Sequence, residues 1–176
     1  MINKFLLYPP IMLSLFFYVI CNMSIIDSCT KSVFIVCTFY YVFNNFLWTL
    51  FKKIPFLNDI IPPNINGKWN GFIFSSYTKR EKKVNFTIKQ TFSSCKISID
   101  TNEITSDSLC ANWIKEGDTF YLIYNYRTSL KNLGNSSTNP SQYGTAKIAL
   151  NGDKIEGDYW TSRNTVGTIN LTKTTN

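Results

Sequence analysis

The sequence lacks the side chains on which most hydrolytic enzymes depend. It contains no histidine, which excludes Ser-His-Asp and Cys-His catalysis as well as histidine-ligated metal sites. The cysteines show no Cys-x-x-Cys spacing, so they indicate reduced, buried thiols rather than a zinc site or a disulfide framework: Cys21, Cys29, Cys37, Cys95 and Cys110. Carboxylates such as Glu103 and Asp118 lie around predicted turns, where solvated roles dominate. We therefore predict a protein that binds a ligand without catalysis, metal or cofactor.

A set of aromatic, hydroxyl and guanidinium side chains has the chemistry to bind a small anion. Period-two alternation places Tyr124 and Tyr126 on one face of a predicted strand, and Tyr159, Thr161 and Arg163 on one face of another. Tyrosine rings offer stacking surfaces for nucleobases, and an arginine fork suits phosphate oxygens. The predicted ligand-binding residues, which fit a small nucleotide, are Tyr124, Tyr126, Arg127, Tyr159, Thr161 and Arg163. The alternatives are that the tyrosines fill a core and that Arg127 and Arg163 are solvated rim charges.

These residues lie in a strand-rich region after residue 66. The predicted strands are Lys68 to Ser75, Val84 to Thr91, Cys95 to Asp100, Ser106 to Lys115, Thr119 to Arg127, Gln142 to Leu150, Lys154 to Thr161 and Val166 to Thr172. Glu116-Gly117-Asp118 and Asn151-Gly152-Asp153 predict tight hairpin turns. The even strand count and meander spacing favour an eight-stranded antiparallel up-and-down barrel, which has room for one small ligand. The polar segment Thr128 to Ser141 predicts a long loop, either a binding lid or a loop without a role.

The first 53 residues predict a membrane anchor. Phe5 to Ile26 holds 22 uncharged residues and Val33 to Phe51 holds 19, lengths that cross a hydrocarbon core of about 30 Å as helices. We predict a two-helix hairpin over residues 1–53, with Asp27 to Lys31 as its connector. Lys4, Lys52 and Lys53 place both termini in the cytoplasm by the positive-inside rule. The alternative is a cleaved signal peptide followed by one anchor.

A proline-containing linker over residues 54–66 is predicted to join the anchor to a barrel domain over residues 67–176. Beyond residue 53, 14 basic residues face 10 acidic ones. This excess is too small and too dispersed for the basic stripe that a nucleic-acid polymer requires. A small anionic ligand remains compatible with it.

Short motifs in the barrel region suggest a family. Gly67-Lys68-Trp69 resembles the opening Gly-x-Trp of lipocalin-like barrels. Together with the two-helix anchor, the Tyr143-Gly144-Thr145-Ala146 strand and the run from Gly157 to Gly167, the chain resembles the two-transmembrane, β-barrel effectors of bacterial cyclic-oligonucleotide anti-phage signalling (CBASS). Arg163, within that last run, is the residue that best matches.

The resemblance implies a function. It implies a cytoplasmic barrel that binds a cyclic dinucleotide made by a partner nucleotidyltransferase, a homo-oligomer, and disruption of the inner membrane without catalysis. The competing hypothesis is a membrane-tethered, lipocalin-like protein that binds an apolar small molecule. A third is a structural barrel that docks a partner protein.

Overall fold

A computed structural model of the chain describes residues 8–21, 24–51, 54, 57, 59–131 and 142–174. The chain divides into two compact units, Met1–Phe51 and Lys52–Asn176. The first is helical and the second is a β-barrel.

The helical unit contains one helix that is long and apolar enough to cross a membrane. Helix α1 spans Tyr8–Val19. Helix α2 spans Ile25–Val42 and continues through a π-helical turn, Phe43–Leu47, into α3, Trp48–Phe51. Among the described residues, only the continuous helix Ile25–Phe51, 27 residues long, has the length and composition of a span. The 12 residues of α1 rise about 18 Å, short of the roughly 30 Å hydrocarbon core. The two-span topology therefore stays a prediction.

The predicted connector Asp27 to Lys31 is wrong, because these residues lie inside α2. Ser24 is the N-cap: its Oγ accepts a hydrogen bond from the Asp27 backbone N–H and donates one of 2.8 Å to Asp27 Oδ2. A carboxylate in the first turn also complements the helix dipole. The hydroxyls of Ser28 and Thr30 donate to carbonyls one turn back, at Ser24 and Ile26, each at 2.8 Å. A polar stretch that indicates a loop is thus accommodated within the helix.

The second unit is a closed eight-stranded antiparallel barrel, which confirms the prediction. Each strand pairs with the next, and β1 pairs with β8 to close it. The strands are β1 Gly67–Ser75, β2 Arg80–Gln90, β3 Cys95–Asp100, β4 Ile104–Glu116, β5 Thr119–Leu130, β6 Gln142–Asn151, β7 Lys154–Thr161 and β8 Val166–Lys173. The predicted turns are present, with Gly117 and Gly152 at φ of 59° and 61°, values that favour glycine.

Several strands are longer than predicted, and two of these extensions bear on the site. β2 begins at Arg80 rather than Val84, and β5 runs to Leu130. The predicted loop over 128–141 therefore begins later, and its residues 132–141 lie outside the described part of the chain.

Four of the five thiols that were predicted to be buried are exposed in the structure: Cys21, Cys29, Cys37 and Cys110. Cys95 is buried and Cys110 is exposed, and both are free. The β4–β5 register shifts between Ser108 and Cys110. A bulge of this kind inserts one residue and reverses the alternation of faces, so the following Ala111 packs against the core instead.

The barrel interior is a packed apolar core. Inward side chains of all eight strands contribute, among them Trp69, Phe86, Ile97, Trp113, Leu122, Ala146, Ile155 and Ile169. We call the end at which β1 begins the floor, and the opposite end, which holds the β1–β2 and β7–β8 turns, the mouth.

The floor is closed by the last residues of the predicted linker. Ile65 is buried in the core cluster. Its carbonyl accepts a 2.8 Å hydrogen bond from Trp69 Nε1, and its N–H donates to Gln90 Oε1 at 2.8 Å. Gln90 Nε2 in turn donates to the Pro63 carbonyl at 3.0 Å. The backbone polar groups of this plug are therefore satisfied although they are buried.

Candidate functional site

At the mouth, two tyrosine rings from β5 and β7 lie over glycines of neighbouring strands. Gly144 of β6 sits against the Tyr126 ring, and Gly167 of β8 sits against the Tyr159 ring; a Cβ at either glycine would overlap the ring. Tyr126 is 8% exposed and Tyr159 is half-buried. Glycine on the neighbouring strand therefore lets each ring lie flat across the upper interior.

Tyr124 lies one layer deeper and belongs to the core. It is 1% exposed, and its ring centroid is 5.9 Å from that of Tyr126. Burial raises the pKa of both phenols well above the usual range. Tyr124 Oη has no hydrogen-bond partner among the described residues. The alternative interpretation made from sequence, that this tyrosine fills the core, describes its position.

Arg163 is held at the mouth by the turn between β7 and β8. β7 ends at Thr161, whose Oγ1 accepts a hydrogen bond of 3.3 Å from the Arg163 backbone N–H. Asn164 has a φ of 57°, a left-handed conformation that asparagine adopts more readily than most other residues. With the Gln142 amide oriented to satisfy both groups, its oxygen accepts from Arg163 Nε at 3.3 Å and Nη1 at 2.7 Å. The guanidinium is thus oriented by β6 while its side chain remains exposed.

Arg127 does not join the other predicted site residues. It lies on β5 between Tyr126 and Thr128 and is exposed, whereas Tyr124 and Tyr126 are buried. Because strand side chains alternate between faces, Arg127 points to the outer wall. The structure therefore brings together Tyr126, Tyr159, Thr161 and Arg163, with Tyr124 beneath them and Arg127 outside.

Two further polar contacts lie at the same end and were not predicted from the sequence. Ser106 Oγ and Thr128 Oγ1 form a part-buried hydrogen bond of 2.8 Å between β4 and β5. Thr128 lies on the same face as Tyr124 and Tyr126, but it was not among the predicted site residues because β5 was predicted to end at Arg127. Lys82 was not predicted for the same reason, because the predicted β2 began at Val84.

The mouth therefore offers aromatic surfaces, hydroxyl groups and a fixed guanidinium. Stacking on tyrosine and a bidentate arginine contact suit a base and a phosphate. Among the residues that the structure describes, no group of three or more His, Cys, Asp or Glu side chains could hold a metal ion. The arrangement suits recognition of an organic anion.

The barrel matches a known family model. Residues 60–173 match the model described as "Cap15, cyclic dinucleotide receptor domain". The matched range covers the floor plug, all eight strands and the mouth. The chain belongs to this family. The resemblance to the CBASS effectors is thereby confirmed.

Two relatives carry the description "CD-NTase-associated protein 15". The protein of Staphylococcus schleiferi is 37% identical over 92 residues, which cover 52% of this chain and 50% of the relative. The protein of Escherichia albertii is 29% identical over 175 residues, 93% of this chain and 89% of the relative. The chain thus aligns with about half of the staphylococcal protein and with most of the E. albertii protein. Receptor-family membership rests on the barrel, while the second similarity extends through the helical unit.

Proposed function

We propose that the barrel binds a cyclic dinucleotide at its mouth and acts as the sensor of a CBASS effector. The observation that carries the proposal is the match of residues 60–173 to a cyclic dinucleotide receptor domain. The mouth supplies the expected chemistry, with aromatic rings beside an oriented arginine. A partner nucleotidyltransferase supplies the ligand, and no bond of the ligand is made or broken.

Each mouth residue has a distinct role in this proposal. Tyr159 is half-buried and stacks on a base, with Tyr126 below it. Arg163, fixed by Gln142, donates to a phosphate, and Thr161 donates to the ligand beside it. Tyr124 supports the Tyr126 ring from the core. Arg127 makes no ligand contact because it lies on the outer wall.

Binding is coupled to assembly in the inner membrane, with the barrel and both termini in the cytoplasm. The helix Ile25–Phe51 has the length and composition of one span, and a single copy with the two predicted spans is too small to enclose a pore. Disruption of the bilayer therefore requires several copies. The ligand drives assembly only to the extent that it binds the assembled state more tightly than the free state. The consequence for the cell is abortive infection.

Calorimetric titration of the full chain in detergent micelles tests the binding step. The titrants are cyclic dinucleotides with two purines, two pyrimidines or one of each. Arg163→Ala is the test variant, and Arg127→Ala is the matched control on the outer wall. We expect one titrant to bind, with Arg163→Ala weakening its affinity by about tenfold or more, as the loss of a charge-assisted hydrogen bond predicts, and Arg127→Ala leaving it unchanged. If fatty acids bind and no cyclic dinucleotide does, the apolar-carrier hypothesis replaces this one.

Release of a trapped dye from vesicles of bacterial inner-membrane lipids tests the assembly step. The reconstituted chain is expected to release dye only when the bound cyclic dinucleotide is added. Arg163→Ala should shift the required ligand concentration by the same factor as its affinity. Release that is independent of ligand would contradict the coupling.

A further inference from the structure

Two cations of β2 lie at the mouth on the interior-facing side of their strand. Val84 and Phe86 are buried, and because strand side chains alternate, Lys82 and Arg80 share their face. The register agrees, since Lys82 pairs with Ile73, a β1 residue that packs against the core. Both cations therefore stand above the packed interior rather than on the outer wall.

Lys82 is held there by a carboxylate of the β3–β4 connection. Its Nζ lies 2.9 Å from Glu103 Oε2, and the two side chains are 52% and 70% exposed. Their hydrogen bond lowers the pKa of Glu103. The Arg80 guanidinium makes no side-chain hydrogen bond or ion pair with any residue that the structure describes. The exposure of all three groups leaves them accessible to a ligand at the mouth.

This cationic pair stands apart from Arg163 around the rim. β7 and β2 are separated by β8 and β1, which places them about 14 Å apart along the wall at about 4.8 Å per strand. Lysine and arginine side chains from the two positions can converge on one small ligand. A cyclic dinucleotide carries two phosphodiesters on opposite sides of its ring, so it needs two such positions.

We infer that Lys82 and Arg80 form a second phosphate-binding position. When no ligand is bound, the Glu103 carboxylate pairs with the Lys82 ammonium where the phosphate would otherwise bind. The inference rests on the proposed function and assigns Arg163 to one phosphate and the β2 pair to the other. Glu103 is then a competitor of the ligand. The incoming phosphate takes over the Lys82 ammonium, and Glu103 turns to solvent.

The titration of the full chain in micelles, with the cyclic dinucleotide that binds the wild type, tests this inference. Lys82→Gln is the test variant, and Lys83→Gln is the control, because Lys83 is the next residue on the same strand with the same charge and the opposite face. We expect Lys82→Gln to weaken affinity by about fivefold to tenfold, the scale of one exposed charge-assisted hydrogen bond, with Lys83→Gln near wild type. Glu103→Gln should tighten binding severalfold. In the double variant Lys82→Gln/Glu103→Gln that gain should vanish, since the competition acts through Lys82.

The outcomes separate this inference from the proposed function. Wild-type binding that is weakened by Arg163→Ala but equally unaffected by Lys82→Gln and Lys83→Gln would leave the function standing and overturn the second position. Weaker binding in Glu103→Gln would overturn the competitor role. If no cyclic dinucleotide binds the wild type, both proposals fall together.

Discussion

The floor and the mouth of the barrel are built from the same eight strands, but polar groups are buried at the floor and exposed at the mouth. At the floor, Ile65, Trp69 and Gln90 bury and satisfy each other's polar groups. At the mouth, Arg163 contacts Gln142 and Lys82 pairs with Glu103, while both cations remain exposed. The floor contacts are shielded from solvent, whereas the mouth cations can exchange their protein contacts for contacts with a ligand. Substitutions should therefore affect stability at the floor and ligand affinity at the mouth.

Trp69→Ala should give the largest loss of stability. Trp69 is 2% exposed and donates to the Ile65 carbonyl, so its removal creates a cavity and leaves the plug without this contact. We expect a loss of about 3–5 kcal/mol, measured as barrel unfolding in urea by near-UV circular dichroism. Trp160→Ala is the control, because Trp160 is 44% exposed on the outer wall, and it should stay within about 0.5–1 kcal/mol. Equal losses would contradict the closed floor.

Gln90→Ala should have the next largest effect. It leaves the buried Ile65 N–H without its acceptor and the Pro63 carbonyl without its donor. The expected cost is about 1–3 kcal/mol in the same unfolding experiment. Gln142→Ala, the comparison at the mouth, should reduce ligand affinity more than stability because it releases the Arg163 guanidinium. A larger loss of stability in Gln142→Ala than in Gln90→Ala would contradict the assignment of stability to the floor and ligand affinity to the mouth.

Alkaline pH should weaken the barrel moderately. Burial raises the pKa of the Cys95 thiol from 9.0 to about 11, and it raises the pKa of Tyr124 and Tyr126 as well. The neutral thiol thus contributes stability that is fully present below pH 9 and is lost as pH rises towards 11. The melting temperature should fall over this window, with a shallower fall for Cys95→Ala. Cys110→Ala is the control because that thiol is exposed; an identical slope in all three proteins would contradict the prediction.

Glu103→Gln should have the smallest effect on stability. Its ion pair with Lys82 is solvent-exposed, and such pairs contribute little to folding. We expect no measurable change in the urea midpoint, even though the same variant should alter ligand affinity. A clear destabilisation would show that Glu103 holds the mouth together rather than competing with the ligand.

Much of the fold could be predicted because period-two alternation is a local property of the chain. It located eight strands, and the paired turn residues Gly117 and Gly152 fixed two hairpins. Where local pattern and local hydrogen bonding conflict, the prediction was wrong. Asp27 to Lys31 looks like a loop, but the Ser24 cap and hydroxyl bonds to the preceding turn keep it helical.

The candidate site was predictable only in part. Alternation placed Tyr126, Tyr159 and Thr161 on the interior face, whereas Arg163 lies in the turn beyond the end of β7 and not on a strand face. Alternation does not give depth, so the sequence left open whether Tyr124 contacts a ligand or fills the core, and the structure places it in the core. Once the bounds of β5 are known, alternation also assigns Arg127 to the outer wall. Lys82 could not be assigned to a face because the predicted β2 began two residues after it.

The sequence by itself determined an all-β barrel with an apolar amino-terminal segment and no histidine chemistry, because composition and side-chain period are carried along the chain. Only the tertiary structure decided which end is closed by buried contacts and which carries the exposed cations. That depends on Ile65 meeting Gln90 and on Lys82 meeting Glu103, contacts between residues 25 and 21 positions apart. Such pairs form when strands close into a barrel, and no local pattern specifies them.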